Sequence, residues 1–212
     1  MLSKDLLNIV KSDRDHDSTE LTLLAIDGVR RVVEQNENEN LSELVQGVKS
    51  LIVDLRNSRP SMVALDNLLE PIQNSTLNSG ATNVEMFRTK MVNSCADVIR
   101  FARNAQDLAV QNMVSLIEAN DVIMTHSISS TVKNVFAHLS ESQPTVEIII
   151  TESRPGDEGK LLTAFLSELG LNTTCITEAQ IDLLMPKVNK VVVGADAVLA
   201  DGSIINKRGT NV

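Results

Sequence analysis

Apolar residues recur every three or four positions through the first half of the chain, which is the spacing of amphipathic helices. Capping residues precede two of these stripes, Asp17 before one and Asn40 before the next. Arg59-Pro60 predicts the start of a further helix, because proline suits a first helical turn. The polar run Asn74–Asn83 predicts a linker, and one long helix or two joined ones follow it. We therefore predict a helical domain over residues 1–118.

From about residue 119, short β-branched runs alternate with helical stretches, and a hairpin is predicted to turn at Asp201-Gly202. The predicted strands are Val122–Met124, Val146–Ile150, Asn172–Ile176 and Val191–Val193. Such alternation forms parallel sheets, and continuous Val/Ile runs indicate strands that are covered on both faces. The predicted fold class is therefore α/β, a helical N-terminal domain followed by a Rossmann-like parallel sheet domain over residues 119–212. Because the chain stops soon after a loop signal, either the last strands are missing from this sequence or a partner covers the sheet edge, and we expect the domain to be incomplete at its C-terminal end.

Composition narrows the classes of function. Lys and Arg number 19 against 28 Asp and Glu, the net charge is −9, and aromatic residues make up 2% of the chain. Such a surface suits neither phosphate backbones nor stacked bases, so we expect no direct nucleic-acid binding. Cys95 and Cys175 lie far apart without a CxxC pattern, so we expect no metal site, and nothing indicates a cofactor. Without a signal peptide or an apolar span, we expect a cytoplasmic protein that does not enter membranes.

Polar side chains follow several of the predicted strands. Ser127 and Ser129 come after the first strand, Arg154 after the second, Asp196 after the fourth, and Asn206-Lys207 after the hairpin. Ligands of open parallel sheets bind beyond the carboxyl ends of the strands. Hydroxyls at a helix N-terminus, together with cations, favour a phosphate there. A carboxylate beside them could move a proton or hold sugar hydroxyls.

Each of these residues also has a structural alternative. The serines could cap a helix, Arg154 could be a surface charge, and Gly194-Ala195-Asp196 could be a turn. His126 could act as a base, although a histidine without an orienting partner more often has a structural role. The convergence of several polar strand ends on one edge of the sheet favours a binding site.

Four stretches together resemble the regulatory alpha, beta and delta subunits of eukaryotic translation initiation factor 2B and their archaeal and bacterial relatives. These stretches are Arg59–Leu65, Thr125–Ser130, Thr151–Pro155 with Glu158–Lys160, and Val193–Val198 running into Ile205–Thr210. The relatives include ribose-1,5-bisphosphate isomerase and methylthioribose-1-phosphate isomerase. The resemblance implies a helical domain joined to a Rossmann-like domain, dimerisation through the latter, and a sugar-phosphate or nucleotide pocket between the two.

The resemblance also implies roles for single residues. In the isomerases, an Arg at the position of Arg59, a Ser at that of Ser129 and an Asn-Lys pair at Asn206-Lys207 contact the substrate. Their acid–base pair is a Cys and an Asp; the Asp corresponds to Asp196, whereas the Cys position is Ser127. A thiol with a pKa of about 8.5 can be tuned to act near neutral pH, but a serine hydroxyl needs a separate base. The sequence shows no such base beside Ser127, unless the preceding histidine moves in.

Two interpretations follow from these features. The favoured one is a non-catalytic initiation factor 2B-like regulatory subunit that binds homologous subunits or its own copies. Initiation factor 2 and a sugar phosphate or nucleotide are its further candidate partners. The alternative is an aldose–ketose isomerase of the ribose 1,5-bisphosphate or methylthioribose 1-phosphate type, with Asp196 as one catalytic group. The predicted ligand-binding residues are Arg59, Ser127, Ser129, Arg154, Asn206 and Lys207.

Overall fold

The computed structural model describes residues 3–14, 16–142, 145–206 and 210 of the chain. The chain forms two compact units, residues 1–104 and residues 105–212. The first unit contains helices α1 (Ser3–Ser12), α2 (Ser18–Glu34), α3 (Leu41–Ser58), α4 (Val63–Leu77) and the first part of α5 (Val84–Ser115). No helix in the described part of the chain is long and apolar enough to cross a membrane.

The helical unit forms where the apolar stripes predicted it. Asp17 accepts the Glu20 N–H at 2.8 Å, and Asn40 accepts the Glu43 N–H at 3.2 Å, so both predicted N-caps are confirmed. The stripes meet in one core, whose fully buried side chains include Leu6, Ile26, Ile52, Leu69 and Phe87. Burial of these stripes, rather than helix propensity, supplies most of the stability of such helices.

The predicted start of the fourth helix was wrong. Arg59-Pro60 lies in a turn closed by the Met62 N–H and the Arg59 carbonyl at 2.9 Å, and α4 begins only at Val63. The residue before a proline is disfavoured in the helical region, and Arg59 has φ −139° and ψ 67°. Pro60 therefore lies in the turn between α3 and α4 instead of beginning a helix.

The predicted linker also begins too early. Helix α4 continues past Pro71 to Leu77, so it includes the first residues of the polar run. Ile72 is fully buried and Thr76 is 1% exposed, which ties this end of the helix to the core. Tertiary packing here outweighs the helix-breaking tendency of proline and asparagine.

The second unit contains a four-stranded parallel sheet in the order β3-β2-β1-β4. Its strands are β1 (Val122–Thr125), β2 (Glu147–Thr151), β3 (Asn172–Ile176) and β4 (Lys190–Val191), and its helices are α6 (Ser130–Ser142), α7 (Glu158–Glu168) and α8 (Ile181–Leu184). Ile123 and Ile148 face a core with α6 and α7, whereas Met124 and Ile149 face a second core with α8. The two central strands β1 and β2 are thus covered on both faces, as their apolar runs predicted, whereas the edge strands β3 and β4 are largely exposed.

A hairpin follows the sheet, as predicted. Strands β5 (Ala197–Val198) and β6 (Ile204–Ile205) pair antiparallel. Gly202 has φ +84° in the connecting turn, a conformation that favours glycine.

Helix α5 contributes to both compact units. The two units divide at Asn104 and Ala105, earlier than the predicted boundary at residue 118. The reason lies in the last turns of the helix, where Val110 packs into the core of the sheet unit, as does Ile117 just beyond the helix. One continuous helix therefore supplies apolar side chains to the sheet.

We predict that the ion pair at the amino end of β1 stabilises the sheet unit above acid pH. Lys190 Nζ lies 2.5 Å from Asp121 Oδ2, and this hydrogen bond, with the backbone N–H of Glu118, holds the pKa of Asp121 below its ordinary value. A lowered carboxyl pKa stabilises the fold above the unfolded value of about 3.9, and this contribution disappears as pH falls through the folded value. Asp121→Asn should therefore lower the free energy of unfolding by about 1 kcal/mol at neutral pH.

Urea titrations of the parent and of Asp121→Asn at a series of pH values measure this contribution. The difference between the two proteins should shrink as the solution is acidified below the ordinary carboxyl pKa. A difference that stays constant into strong acid would contradict the assignment.

Candidate functional site

The loops that follow β1 and β2 meet at the carboxyl edge of the sheet. His126 Nδ1 lies 2.6 Å from Thr151 Oγ1, and the backbone N–H of Ser127 donates to Ser153 Oγ at 2.6 Å. Ser127 and Ser153 both have left-handed backbones, with φ +69° and +61°. Such conformations are rare outside glycine and persist where neighbouring contacts hold them. The parallel order of the strands therefore brings these two loops together, as the sequence predicted.

Ser127 has a carboxylate partner that the sequence analysis missed. Its side-chain Oγ donates to Glu158 Oε2 at 2.5 Å, and the residue is 5% exposed. The statement that no base stands beside Ser127 was therefore wrong. Glu158 belongs to one of the stretches that carry the family resemblance, but no spacing along the chain indicates which loop its side chain contacts.

A close approach of α7 to β2 puts Glu158 in this place. A Cβ atom on Gly159 would lie 1.7 Å from the Thr151 carbonyl oxygen, so only glycine allows the helix to begin there. The Gly159 N–H also donates to the Glu152 carbonyl at 3.2 Å. The first turn of α7 is thus seated directly on the end of β2.

Ser129 stands at the N-terminus of α6, close to the loop that follows β4. A Cβ atom on Gly194 would lie 2.9 Å from Ser129 Oγ, so the segment leading to Asp196 passes directly over this serine. The Asp196 N–H donates to the Ile205 carbonyl at 2.8 Å and joins this segment to the hairpin. The structure therefore brings the Ser129 loop and the Gly194 loop together, as predicted.

A buried hydroxyl and a buried amide nitrogen among the described residues of this unit have no hydrogen-bond partner. Thr125 Oγ1, in a residue that is 1% exposed at the end of β1, has none, and neither does Asn206 Nδ2 after β6. Buried polar groups are nearly always hydrogen-bonded, and an unpartnered one is costly. Both atoms are therefore available to a ligand or a water molecule.

Arg154 does not present a bare positive charge. Its Nε lies 2.6 Å from Glu152 Oε2 and 3.8 Å from Asp157 Oδ1, and its side chain is 63% exposed. Lys160 Nζ contacts the same two carboxylates at 3.4 and 3.1 Å. The hydrogen bond from Arg154 lowers the pKa of Glu152, and the same bond raises the pKa of Arg154. The loop after β2 thus pairs its cations with its own acids.

The other two predicted cations are Arg59 and Lys207. Arg59 belongs to the helical unit, where its guanidinium donates to the carbonyls of Val10 at 3.0 Å, Lys11 at 3.3 Å and Asp13 at 2.6 Å. These carbonyls come at the end of α1, so Arg59 caps that helix. Lys207 lies outside the described residues.

Comparisons with known proteins agree with this fold. A sequence model described as the initiation factor 2 subunit family matches residues 15–212. A Pyrococcus abyssi protein described as translation initiation factor eIF-2B subunit 2-like is 30% identical over 208 residues, which cover 97% of this chain and 70% of that protein. Ribose 1,5-bisphosphate isomerase of Thermococcus kodakarensis is 29% identical over 180 residues, which cover 84% of this chain and 56% of that enzyme.

Among solved structures, the translation initiation factor eIF-2B of Pyrococcus horikoshii OT3 has the same fold, with a TM-score of 0.84 and 27% identity. The match covers 98% of this chain and 71% of that one. The relatives therefore include both initiation-factor-like proteins and isomerases. The family match extends over nearly all of the chain, and the chain belongs to the initiation factor 2 subunit family.

Proposed function

We propose that this chain is a non-catalytic regulatory subunit of the initiation factor 2B type. In the cytoplasm it would assemble with homologous subunits or with its own copies, and it would hold a small phosphorylated ligand at the carboxyl edge of its sheet. The observation that carries this proposal is the buried Ser127 hydroxyl, which donates a hydrogen bond to Glu158. The family resemblance implies that the isomerases have a thiol at this position.

The chemistry of the hydroxyl argues against isomerisation. Moving a proton between neighbouring carbons needs groups that gain and lose protons near neutral pH. A thiol with a pKa of about 8.5 can be tuned to do so, whereas a serine hydroxyl requires an activating base. Glu158 accepts the Ser127 hydrogen bond at 2.5 Å, but a hydroxyl remains much harder to deprotonate than a thiol, so this pair is a poor replacement for the cysteine of the isomerases.

Ligand binding is supported by groups at the same edge. Helix α6 has 13 residues, so its N-terminus, beside Ser129, favours an anion. Thr125 Oγ1 adds a buried hydroxyl without a partner at the end of β1. These groups suit a sugar phosphate or a nucleotide, whose hydroxyl and phosphate oxygens need both donors and acceptors.

Subunit contacts are supported by exposed apolar side chains on the sheet unit. Val198 on β5 is 70% exposed, Val191 on the edge strand β4 is 55% exposed, and Ile204 and Ile205 on β6 are each 46% exposed. Val198 and Ile204 are paired across the hairpin, and adjacent exposed apolar side chains favour a protein interface. Homologous subunits, a second copy and initiation factor 2 are the candidate partners.

The isomerase alternative is favoured by one observation. The Glu158 carboxylate, 2.5 Å from Ser127 Oγ, is a possible base, and Asp196 could act as its acid. In that case Glu158 would take over the part of the missing thiol.

Turnover separates the two functions. We expect no conversion of ribose 1,5-bisphosphate or methylthioribose 1-phosphate to the ketose by NMR, under conditions in which an authentic isomerase converts both. Conversion that is abolished by Glu158→Gln and by Asp196→Ala would overturn the proposal and establish the enzyme. Conversion that survives both substitutions does not depend on the candidate catalytic groups and would be assigned to a contaminating isomerase.

Light scattering on the purified chain tests association. We expect a mass above that of the 23.1 kDa monomer. Val198→Glu should reduce this mass, while Leu161→Glu, a matched change at an exposed position on α7, should leave it unchanged. A monomer in the parent protein would contradict self-association, and a pull-down with homologous subunits would then test the remaining candidates.

A further inference from the structure

The loop after β2 carries a pair of backbone N–H groups that is already filled by a carboxylate of the same chain. Glu178 Oε1 lies 2.7 Å from the Ser153 nitrogen and 3.3 Å from the Arg154 nitrogen. Ser153 is 1% exposed with φ +61°. Successive N–H groups that converge on one acceptor form a concave site that binds anions in many proteins.

Neighbouring contacts hold this pair in place without Glu178. Ser153 Oγ accepts the Ser127 N–H at 2.6 Å, and the Glu152 N–H donates to the Ile176 carbonyl at 2.7 Å. The two N–H groups therefore keep their direction whether or not a carboxylate faces them.

Glu178 comes from a different element, a short turn that follows the edge strand β3. Thr177 and Gln180 close this turn themselves, because Gln180 Oε1 accepts the Thr177 N–H at 3.0 Å and the Thr177 hydroxyl at 3.1 Å. Removing the Glu178 side chain should therefore empty the N–H pair and leave the turn folded.

We propose that Glu178 is an internal substitute for an anionic ligand. Its carboxylate occupies the N–H groups of Ser153 and Arg154, and a phosphate group binds there only after Glu178 leaves. This inference rests on the phosphorylated ligand of the proposed function. A tethered acceptor competes at an effective concentration of roughly millimolar, so free phosphate binds weakly to the parent chain. Arg154 supplies one N–H of the pair, and its exposed guanidinium, which also contacts Glu152, interacts electrostatically with Glu178, so its charge favours an anion at this site.

Calorimetric titration with inorganic phosphate tests this inference on the full chain. Glu178→Ala should bind phosphate more tightly than the parent by a factor on the order of ten, because the tethered competitor is gone. Glu178→Gln should gain less, since its amide oxygen can still accept the two N–H groups. Asp182→Asn is the matched control, because it removes one negative charge from an exposed position on α8 and should leave phosphate affinity unchanged.

Amide NMR covers the case in which Glu178→Ala does not fold. Phosphate should then shift the Ser153 and Arg154 amide resonances further in Glu178→Gln than in the parent. Equal affinity in the parent and the folded alanine variant, an equal gain in Asp182→Asn, or equal amide shifts would each overturn the inference. If phosphate binds the parent and its affinity is the same in the Glu178 variants, the proposed ligand site stands and only this inference fails. If no variant binds phosphate, the inference fails together with the ligand, while the turnover and assembly tests are unaffected.

Discussion

Gly159→Ala is expected to destabilise the sheet unit by about 3 kcal/mol or more, enough to leave much of the protein unfolded. The added Cβ would lie 1.7 Å from the Thr151 carbonyl oxygen and 2.8 Å from its carbon. Thr151 cannot retreat, because it belongs to β2, which is paired with a strand on either side. The first turn of α7 would have to lift away, and Glu158 would lose its contact with Ser127.

Urea unfolding measures this loss, and another glycine in the same chain provides the control. Gly47 lies within α3 with no atom within 4 Å of an added Cβ. Gly47→Ala should therefore leave stability unchanged or raise it by about 0.5–1 kcal/mol, the gain in helix propensity. A loss below about 1 kcal/mol for Gly159→Ala would show that α7 does not begin against β2.

Arg59→Ala should lower the stability of the helical unit by about 2–3 kcal/mol in the absence of any ligand. The guanidinium holds three carbonyls at the end of α1, where helices leave their carbonyl groups without partners. Its positive charge also interacts favourably with the partial negative charge at that end of the helix. Alanine removes the hydrogen bonds and the charge together.

Thermal and urea unfolding followed by circular dichroism measure the effect of Arg59→Ala. Arg59→Lys keeps the charge without the fork of donors and should recover only part of the loss. Arg103→Ala, at an exposed position on α5, is the matched control and should change little. If Arg59→Ala is as stable as the parent, the contacts of Arg59 with α1 do not stabilise the fold. The predicted contact of Arg59 with a ligand would then be its remaining candidate role.

The two glutamates at the carboxyl edge change how the candidate site is understood. The sequence suggested a cationic cradle of hydroxyls, Arg154 and Lys207, but the described loops pair Arg154 with acids and turn Glu158 toward Ser127. Glu178 then fills the backbone donors of the same loop. Under the proposed function, a phosphate would have to displace or rearrange these acidic groups before it could bind.

The sequence by itself determined the plan of the molecule. Apolar positions spaced at three and four predicted the helical unit, and continuous β-branched runs predicted the buried parallel strands, because burial imposes these periods directly on the chain. The clustering of the loops around Ser127, Ser129 and Gly194 followed from parallel topology, since the carboxyl ends of such strands share one edge. Short motifs were enough to indicate the family.

Only the tertiary structure decided which side chains contact one another at that edge. Ser127 and Glu158 are 31 positions apart, Ser153 and Glu178 are 25 apart, and Arg59 and Val10 are 49 apart. Local patterns report whether a residue is buried and in which element, but not the direction of a side chain that leaves its element to contact a loop. The start of α4 could not be predicted for the same reason. The conformation of Arg59 depends on the carbonyls at the end of α1, which are distant in the sequence, as well as on the adjacent proline.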